Sequence, residues 1–306
     1  MITILGQRVK MQYQFLPNTS IQDADIIINR VCWGESVSAK RGTADAPDAI
    51  LKASEQMEYY DEDLEWSPMK HMSVHVAKSV STYDEIQHSF DARSFGKKQL
   101  CITLGGDHSI TPQLTLALVK KPATIVFLDA HADLRRSYLG DVNSHATPAF
   151  HLLKQGHKLL MAGVRSLFEG EALRVKEDKN ITCFMDRTLQ KESNKKELLQ
   201  SIRELEGDVY LSIDMDVFNP AFVPSVGTPQ AGGMDYYFAT DILKALLLES
   251  NAELKGVDMV ELIPEESNVS QLFAAKLLQK IISYWGKSQG FDTKEQNGAQ
   301  TQVKYE

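Results

Sequence analysis

From about residue 100 onward the chain alternates short apolar runs with longer segments whose apolar positions recur at spacings of three and four. The runs cover 100–104, 124–128, 158–164, 180–184, 209–213 and 256–262, and the helix-like segments 109–121, 191–205, 238–250 and 268–285. Runs of that length, apolar without alternation, have the pattern of strands buried on both faces. Strands of this kind separated by amphipathic helices predict an α/β fold, a three-layer α/β/α sandwich with a mainly parallel sheet. Nearer the start, Asp23-Ala24-Asp25-Ile26-Ile27-Ile28 reads as the lead into an edge strand. No Pro/Gly/Ser linker interrupts 40–285 and no repeat of twenty to fifty residues recurs, so residues 1–286 are expected to form a single domain. The polar stretch 287–306 reads as a mobile C-terminal tail.

Composition narrows the picture. Apolar residues make up 43% of the 306 and charged residues 24%, an ordinary globular mix that excludes a mainly disordered chain. A net charge of −8 argues against nucleic acid or an anionic membrane as partner, and is compatible with a small cationic ligand. No apolar run is long enough to span a bilayer, and the first ten residues lack the layout of a secretion signal. Cys32, Cys101 and Cys183 are scattered, with no C-x-x-C pair, so a reducing, cytoplasmic setting is expected. Cys101 opens an apolar run and reads as a small core residue.

The unusual residues sit where the strands end. Gly105-Gly106-Asp107-His108-Ser109 follows the first run, Asp129-Ala130-His131-Ala132-Asp133 the second, and Asp214-Met215-Asp216 the run at 209–213. In open α/β sheets the ligand crevice lies outside the carboxyl ends of the strands, so three strands deliver Asp and His to one edge. Continued extension would turn Asp129, His131 and Asp133 to one side, and likewise Asp214 and Asp216. Four carboxylates so crowded repel one another unless positive charge neutralises them. Two divalent cations do this, with His108 and His131 completing the donor set.

The simpler readings differ in strength. With 21 Asp and 8 His in the chain, D-x-H-x-D arises by chance about 0.04 times. D-x-D alone recurs at Asp23/Asp25 and Asp61/Asp63, so Asp214 and Asp216 gain weight only from the strand before them. Asp107 or Ser109 reads as a helix cap. His71 and His75 lack the neighbouring Glu of a zinc-protease helix and read as solvent-exposed; His151 and His157 carry no functional signal. No G-x-S-x-G elbow supports a serine nucleophile.

Through these residues the chain resembles the ureohydrolase family, which includes arginase, agmatinase and formiminoglutamase. The resemblance runs through the three motifs above, extends over Ser212 to Pro220, Gly227-Thr228-Pro229 and Gly232-Gly233, and ends in Val257-Asp258-Met259-Val260-Glu261. A weaker echo lies at 42–50, so the likeness covers roughly 40–285. It implies an arginase-like fold and two Mn²⁺ per chain. One ion would be held by His108, Asp129, Asp133 and Asp214, the other by Asp129, His131, Asp214 and Asp216, with Asp129 and Asp214 bridging. The oxygen-rich donor set suits Mn²⁺ better than Zn²⁺.

The resemblance further implies the catalytic roles. Asp133 orients the attacking water and carries its proton, Glu261 pairs with the guanidinium, and His145, in Ser144-His145-Ala146, shuttles protons. Agmatine, cleaved to putrescine and urea in polyamine biosynthesis, is the expected substrate: the stretch 134–145 lacks the Asn-Thr and Ser-Gly-Asn elements with which arginase-like chains hold an amino-acid head. Arginine or a guanidino acid is the alternative, then an inactive binding homologue or a one-metal histone-deacetylase-like amidohydrolase. A homotrimer or homohexamer is also implied. Asn219, Ser225 and Gln230-Ala231 stand where Asp, Gly and Glu-Pro are common, and Ala146 where Gly often follows the shuttle histidine. These departures bear on loop geometry and substrate preference.

Overall fold

A computed structural model describes residues 19–35, 40–58, 60–91 and 98–293. Eight strands form one parallel sheet: β1 Ile26–Val31, β2 Val74–Val80, β3 Leu100–Leu104, β4 Thr124–Leu128, β5 Lys158–Ala162, β6 Ile181–Phe184, β7 Glu206–Asp214 and β8 Asn251–Val260. Their order is β2-β1-β3-β8-β7-β4-β5-β6. Helices α1 Ala46–Ser54, α2 Tyr83–Asp91, α3 Thr111–Leu118, α4 Pro148–Lys154, α5 Glu169–Glu177, α6 Asp186–Leu189, α7 Glu192–Arg203, α8 Tyr236–Lys244 and α9 Val269–Ser288 complete the described body.

Alternation along each strand divides the core into two layers, as the expected α/β sandwich requires. On β4, Ile125 and Phe127 pack with Ile86 of α2, Leu114 of α3 and Leu152 of α4. Val126 and Leu128 point the other way, into a layer with Leu51 of α1, Ile202 of α7, Ile242 of α8 and Ile281 of α9. All of these side chains are buried, and each contributes about 1.5–3 kcal/mol by leaving water. The continuous apolar runs follow from having helices on both faces.

Two N-terminal expectations change. β1 is an interior strand, paired with β2 on one side and β3 on the other; Ile26, Ile27 and Ile28 are fully buried. The edge belongs instead to β2, whose sequence Val-His-Val-Ala-Lys-Ser-Val mixes polar with apolar positions and leaves Lys78 and Ser79 exposed. A charged edge strand deters pairing with another chain, and its broken apolar pattern hides it from a search for apolar runs. His71 and His75 are half-buried rather than solvent-exposed. The His75 Nδ1 lies 2.7 Å from the Thr19 carbonyl, and the His71 ring packs 5.7 Å from that of Trp66.

At the other end α9 runs to Ser288 and the chain stays attached as far as Thr293, because Phe291 is buried beside Trp285, ring centroids 5.8 Å apart. The rest of the expected tail, 294–306, lies outside the described residues. Cys101 is buried, and all three cysteines are free. Among the described residues no helix is long and apolar enough to cross a membrane.

One buried ion pair ties α9 to the loop after α1. The Lys280 ammonium lies 2.9 Å from Asp61 Oδ1, and both side chains are almost wholly enclosed. The same oxygen accepts the Asp63 and Leu64 amides, each at 3.1 Å. Lys280→Met leaves that carboxylate enclosed without its cation and is expected to cost about 3 kcal/mol. Urea unfolding monitored by circular dichroism measures it, and a loss below about 1 kcal/mol would contradict the assignment.

Candidate metal centre

The four central strands β3, β8, β7 and β4 are neighbours in the sheet, and the predicted metal ligands and Glu261 lie at or just past their carboxyl ends, whereas His145 lies just before α4. His108 opens a short 3₁₀ turn, His108–Ile110, capped by Asp107, whose carboxylate accepts the Ser109 amide at 3.0 Å. The two glycines before it allow a close approach. A Cβ on Gly106 would stand 1.5 Å from the Trp33 carbonyl oxygen, which accepts the Asp107 amide at 2.9 Å.

Convergence is achieved by turns and not by continued extension. β4 ends at Leu128, and Asp133 takes a left-handed backbone with φ 49°, tolerable for Asp. Asp216 sits in the 3₁₀ turn Met215–Val217, where its amide donates to Asp214 Oδ1 at 2.8 Å. Glu261, just past β8, is left-handed as well, with φ 66°. It is buried, and its Oε1 accepts the His108 amide at 2.7 Å.

The result is two donor groups joined at one carboxylate: His108, Asp129 and Asp133, and Asp129, His131 and Asp216, the donor atoms of each lying within 4.8 Å of one another. The His108 Nδ1 faces Asp129 Oδ2 at 3.1 Å, Asp214 Oδ2 at 3.2 Å and Asp133 Oδ2 at 3.3 Å. The His131 Nδ1 faces Asp216 Oδ2 at 2.9 Å and Asp129 Oδ1 at 3.7 Å. Asp129 thus turns one oxygen to each imidazole. Asp214 meets the His108 side, its other oxygen being the one that accepts the Asp216 amide. His108 Nδ1 and Asp129 Oδ2 are both fully buried and meet one another and the neighbouring donors of the cluster.

The electrostatics follow from this crowding. Burial opposes charge on His108, but Asp129, Asp133 and Asp214 hold its pKa well above the usual value. Burial is likewise overcome at His131, which Asp129 and Asp216 push up to about 12. Burial, then the Asp129 charge, raise Asp133 to about 7. Burial raises Glu261 well above the carboxylate range, with Asp107 adding to the effect. The site demands positive charge between its oxygens, and its donors fit a pair of hard divalent cations.

A supporting network behind His108 was missed in the sequence. The Ser212 hydroxyl donates to Asp258 Oδ1 at 2.7 Å, so its oxygen is left to accept from His108 Nε2 at 2.9 Å. Asp258 Oδ2 accepts the Thr111 and Tyr210 hydroxyls, each at 2.9 Å. A proton is thereby fixed on Nε2, and Nδ1 is the nitrogen turned to the donor cluster, the one that would be freed to ligate if a cation took the place of its proton. The His108 ring is also stacked on Phe127, centroids 4.7 Å apart. The signal was available: Ser212 precedes Asp214 by two on the same strand, and Asp258 lies within the apolar run 256–262.

His145 stands outside both donor groups. Its ring meets Tyr138 edge-on at 5.4 Å, and Ser144 Oγ lies 3.5 Å from Nδ1. Among the histidines without an expected role, His157 accepts the Ala123 amide at 3.0 Å and His151 Nε2 lies 2.7 Å from the Val142 carbonyl.

The ordered motifs, the sheet that presents them and the shared carboxylate point one way, and the family model described as "Arginase family" matches residues 24–283. The chain belongs to the arginase family. The likeness read from the motifs is therefore borne out, and with it the enzyme class, a ureohydrolase acting on a guanidino C–N bond. An N(1)-aminopropylagmatine ureohydrolase of Synechocystis sp. is 31% identical over 297 residues, covering 90% of this chain and 95% of that protein. An agmatinase of Pyrococcus horikoshii is 32% identical over 285 residues, covering 87% and 94%. In fold, the crystal structure of agmatine ureohydrolase of Thermoplasma volcanium matches with a TM-score of 0.75 at 24% identity, covering 89% of this chain and 93% of that one.

Burial, then the positive His131 and His108, lower the His145 pKa to about 4. Its folded value is depressed, so it stays neutral at neutral pH, and the stability it contributes is lost as pH falls from about 6.5 through about 4. Following the His145 ring protons by NMR from pH 8 to 3 is expected to give a midpoint near 4; a midpoint at 6.5 would rule out the enclosed, cation-facing environment.

Proposed function

We propose that this arginase-family enzyme is a binuclear manganese hydrolase that cleaves agmatine to putrescine and urea. The observation that carries the reading is the shared Asp129, whose two oxygens address two donor groups, with His108 Nδ1 enclosed among three carboxylate oxygens at 3.1–3.3 Å. His108, Asp129, Asp133 and Asp214 would hold one ion, and Asp129, His131, Asp214 and Asp216 the other. Such a pair supplies Lewis acidity, bringing the pKa of a water molecule from about 15.7 towards neutrality.

The remaining steps belong to the side chains. Glu261 is anchored through Oε1 by the His108 amide; a guanidinium bound beside it supplies the positive charge that favours its ionised form, and the resulting pair fixes the substrate carbon over the centre. Asp133, whose carboxylate faces His108 Nδ1 at 3.3 Å in the donor cluster, accepts the water's proton and passes it to the leaving nitrogen. His145, neutral, passes protons between this carboxylate and solvent without storing them. We further place the enzyme in the cytoplasm, consistent with its free thiols. We also propose assembly into a trimer or hexamer, a reading that rests on the family resemblance.

A specific cavity favours a second, longer substrate, aminopropylagmatine. A space of about 510 Å³ is lined by Trp33 and Tyr83, whose rings lie 5.8 Å apart, and by the carboxylates of Glu35, Asp84 and Asp141. Its wall adjoins the His108 loop, since the Trp33 carbonyl accepts the Asp107 amide and the Tyr83 hydroxyl donates to the Ser109 carbonyl at 3.3 Å. Aromatic faces and carboxylates together attract an ammonium group. The relative from Synechocystis carries that substrate in its name.

Asp129→Asn is expected to drop bound Mn²⁺ from two per chain to below one and to cut urea release more than about a hundredfold, with the far-ultraviolet spectrum unchanged. Two tightly held ions and near-normal turnover would refute the shared-ligand assignment. Urea release from Mn²⁺-loaded enzyme separates the substrates. The kcat/KM for agmatine is expected to exceed that for arginine about a hundredfold, because a site for an amine leaves the α-carboxylate unpaired. Arginine ahead of agmatine would overturn the amine reading, and aminopropylagmatine ahead of agmatine by tenfold would establish the longer substrate.

A further inference from the structure

We propose that Gln230 sets how tightly the His131 side of the centre holds its ion, as a neutral partner to the outer nitrogen of that imidazole. The inference rests on the binuclear reading. His131 turns Nδ1 to Asp216 and Asp129, and on the far side of the ring its Nε2 lies 3.4 Å from the Gln230 side-chain amide. Gln230 is held there by its backbone. Its carbonyl accepts from the Arg165 guanidinium at 3.3 Å, and the same group reaches the carbonyls of Asp216 at 2.7 Å and Val217 at 3.2 Å. Arg165 thus ties the segment that backs His131 to the segment that carries Asp216.

The two imidazoles are backed differently. Behind His108 stands a hydroxyl already polarised by the Asp258 carboxylate, which fixes the proton on Nε2. Behind His131 stands an amide, which donates or accepts according to a half-turn of its NH₂ and oxygen ends. An amide neither fixes the tautomer nor lends negative charge, so it does little to raise the basicity of Nδ1. A carboxylate at this position would only accept, would hold the proton on Nε2, and would make Nδ1 a stronger ligand. Gln230, a neutral amide in place of such a carboxylate, keeps the ion at His131 exchangeable.

The test is titration of metal-stripped full-length protein with Mn²⁺, with free ion read by its electron paramagnetic resonance signal, for the wild type, Gln230→Glu and Gln230→Met. Wild type is expected to take two ions. Gln230→Glu should tighten one of them about tenfold and Gln230→Met should loosen the same one several-fold, with stripped-protein melting temperatures unchanged. In a His131→Asn background, which removes that ion, Gln230→Glu should leave the remaining ion's affinity unaltered. Unchanged affinities in Gln230→Glu, or a shift of equal size in the His131→Asn background, would overturn the proposal. Fewer than two ions in the wild type would instead overturn the binuclear reading beneath it.

Discussion

The structure is governed by an electrostatic debt at the carboxyl edge of its sheet. Three carboxylates crowd a single imidazole nitrogen at 3.1–3.3 Å, with a fourth nearby, all enclosed by protein. Only protons or cations placed between the oxygens make that arrangement stable, and taking up an ion therefore displaces protons. The scaffold must hold these groups together against their repulsion. It does so with apolar strands packed on both faces, a glycine that admits the Trp33 carbonyl, and hydrogen bonds that stop each donor from turning away.

Much of this was legible in the chain. The apolar runs located six of the eight strands because helices cover both faces of the sheet and leave no polar alternation to confuse the pattern. The donor residues stood out because aspartate and histidine interrupt such runs where a strand ends. What stayed hidden depends on the third dimension. β2 escaped because an edge strand is half polar, and β1 was misplaced because pairing on both sides is not written in one strand. The carboxylates do lie together, but not by the route the spacing argument used. Asp133 and Asp216 converge through a left-handed residue and a turn, conformations that an i, i+2 count does not contain. Ser212 and Asp258 looked like ordinary members of apolar strands until their contacts with His108 were seen.

The two sides of the centre differ in their surroundings. His108 is fully enclosed, stacked on Phe127 and backed through Ser212 by a carboxylate. His131 retains 22% side-chain exposure and is backed by an amide. The His108 half is closed off by its packing, and the His131 half is the one with solvent exposure. The left-handed backbones of Asp133 and Glu261 both belong to the His108 side, where the buried packing around them sustains the conformation.

The strand order has a bearing on how the molecule is made. β7 and β8 lie between β3 and β4, yet they are translated more than seventy residues after β4 closes at Leu128. A nascent chain that has emerged only as far as β6 holds two unfinished sheets, each with an open inner edge and no shared donor cluster. Such edges invite pairing with neighbouring chains until the late strands slot between them. Completion of the donor cluster and closure of the sheet thus depend on the same late strands, since Asp214 and Asp216 arrive only with β7.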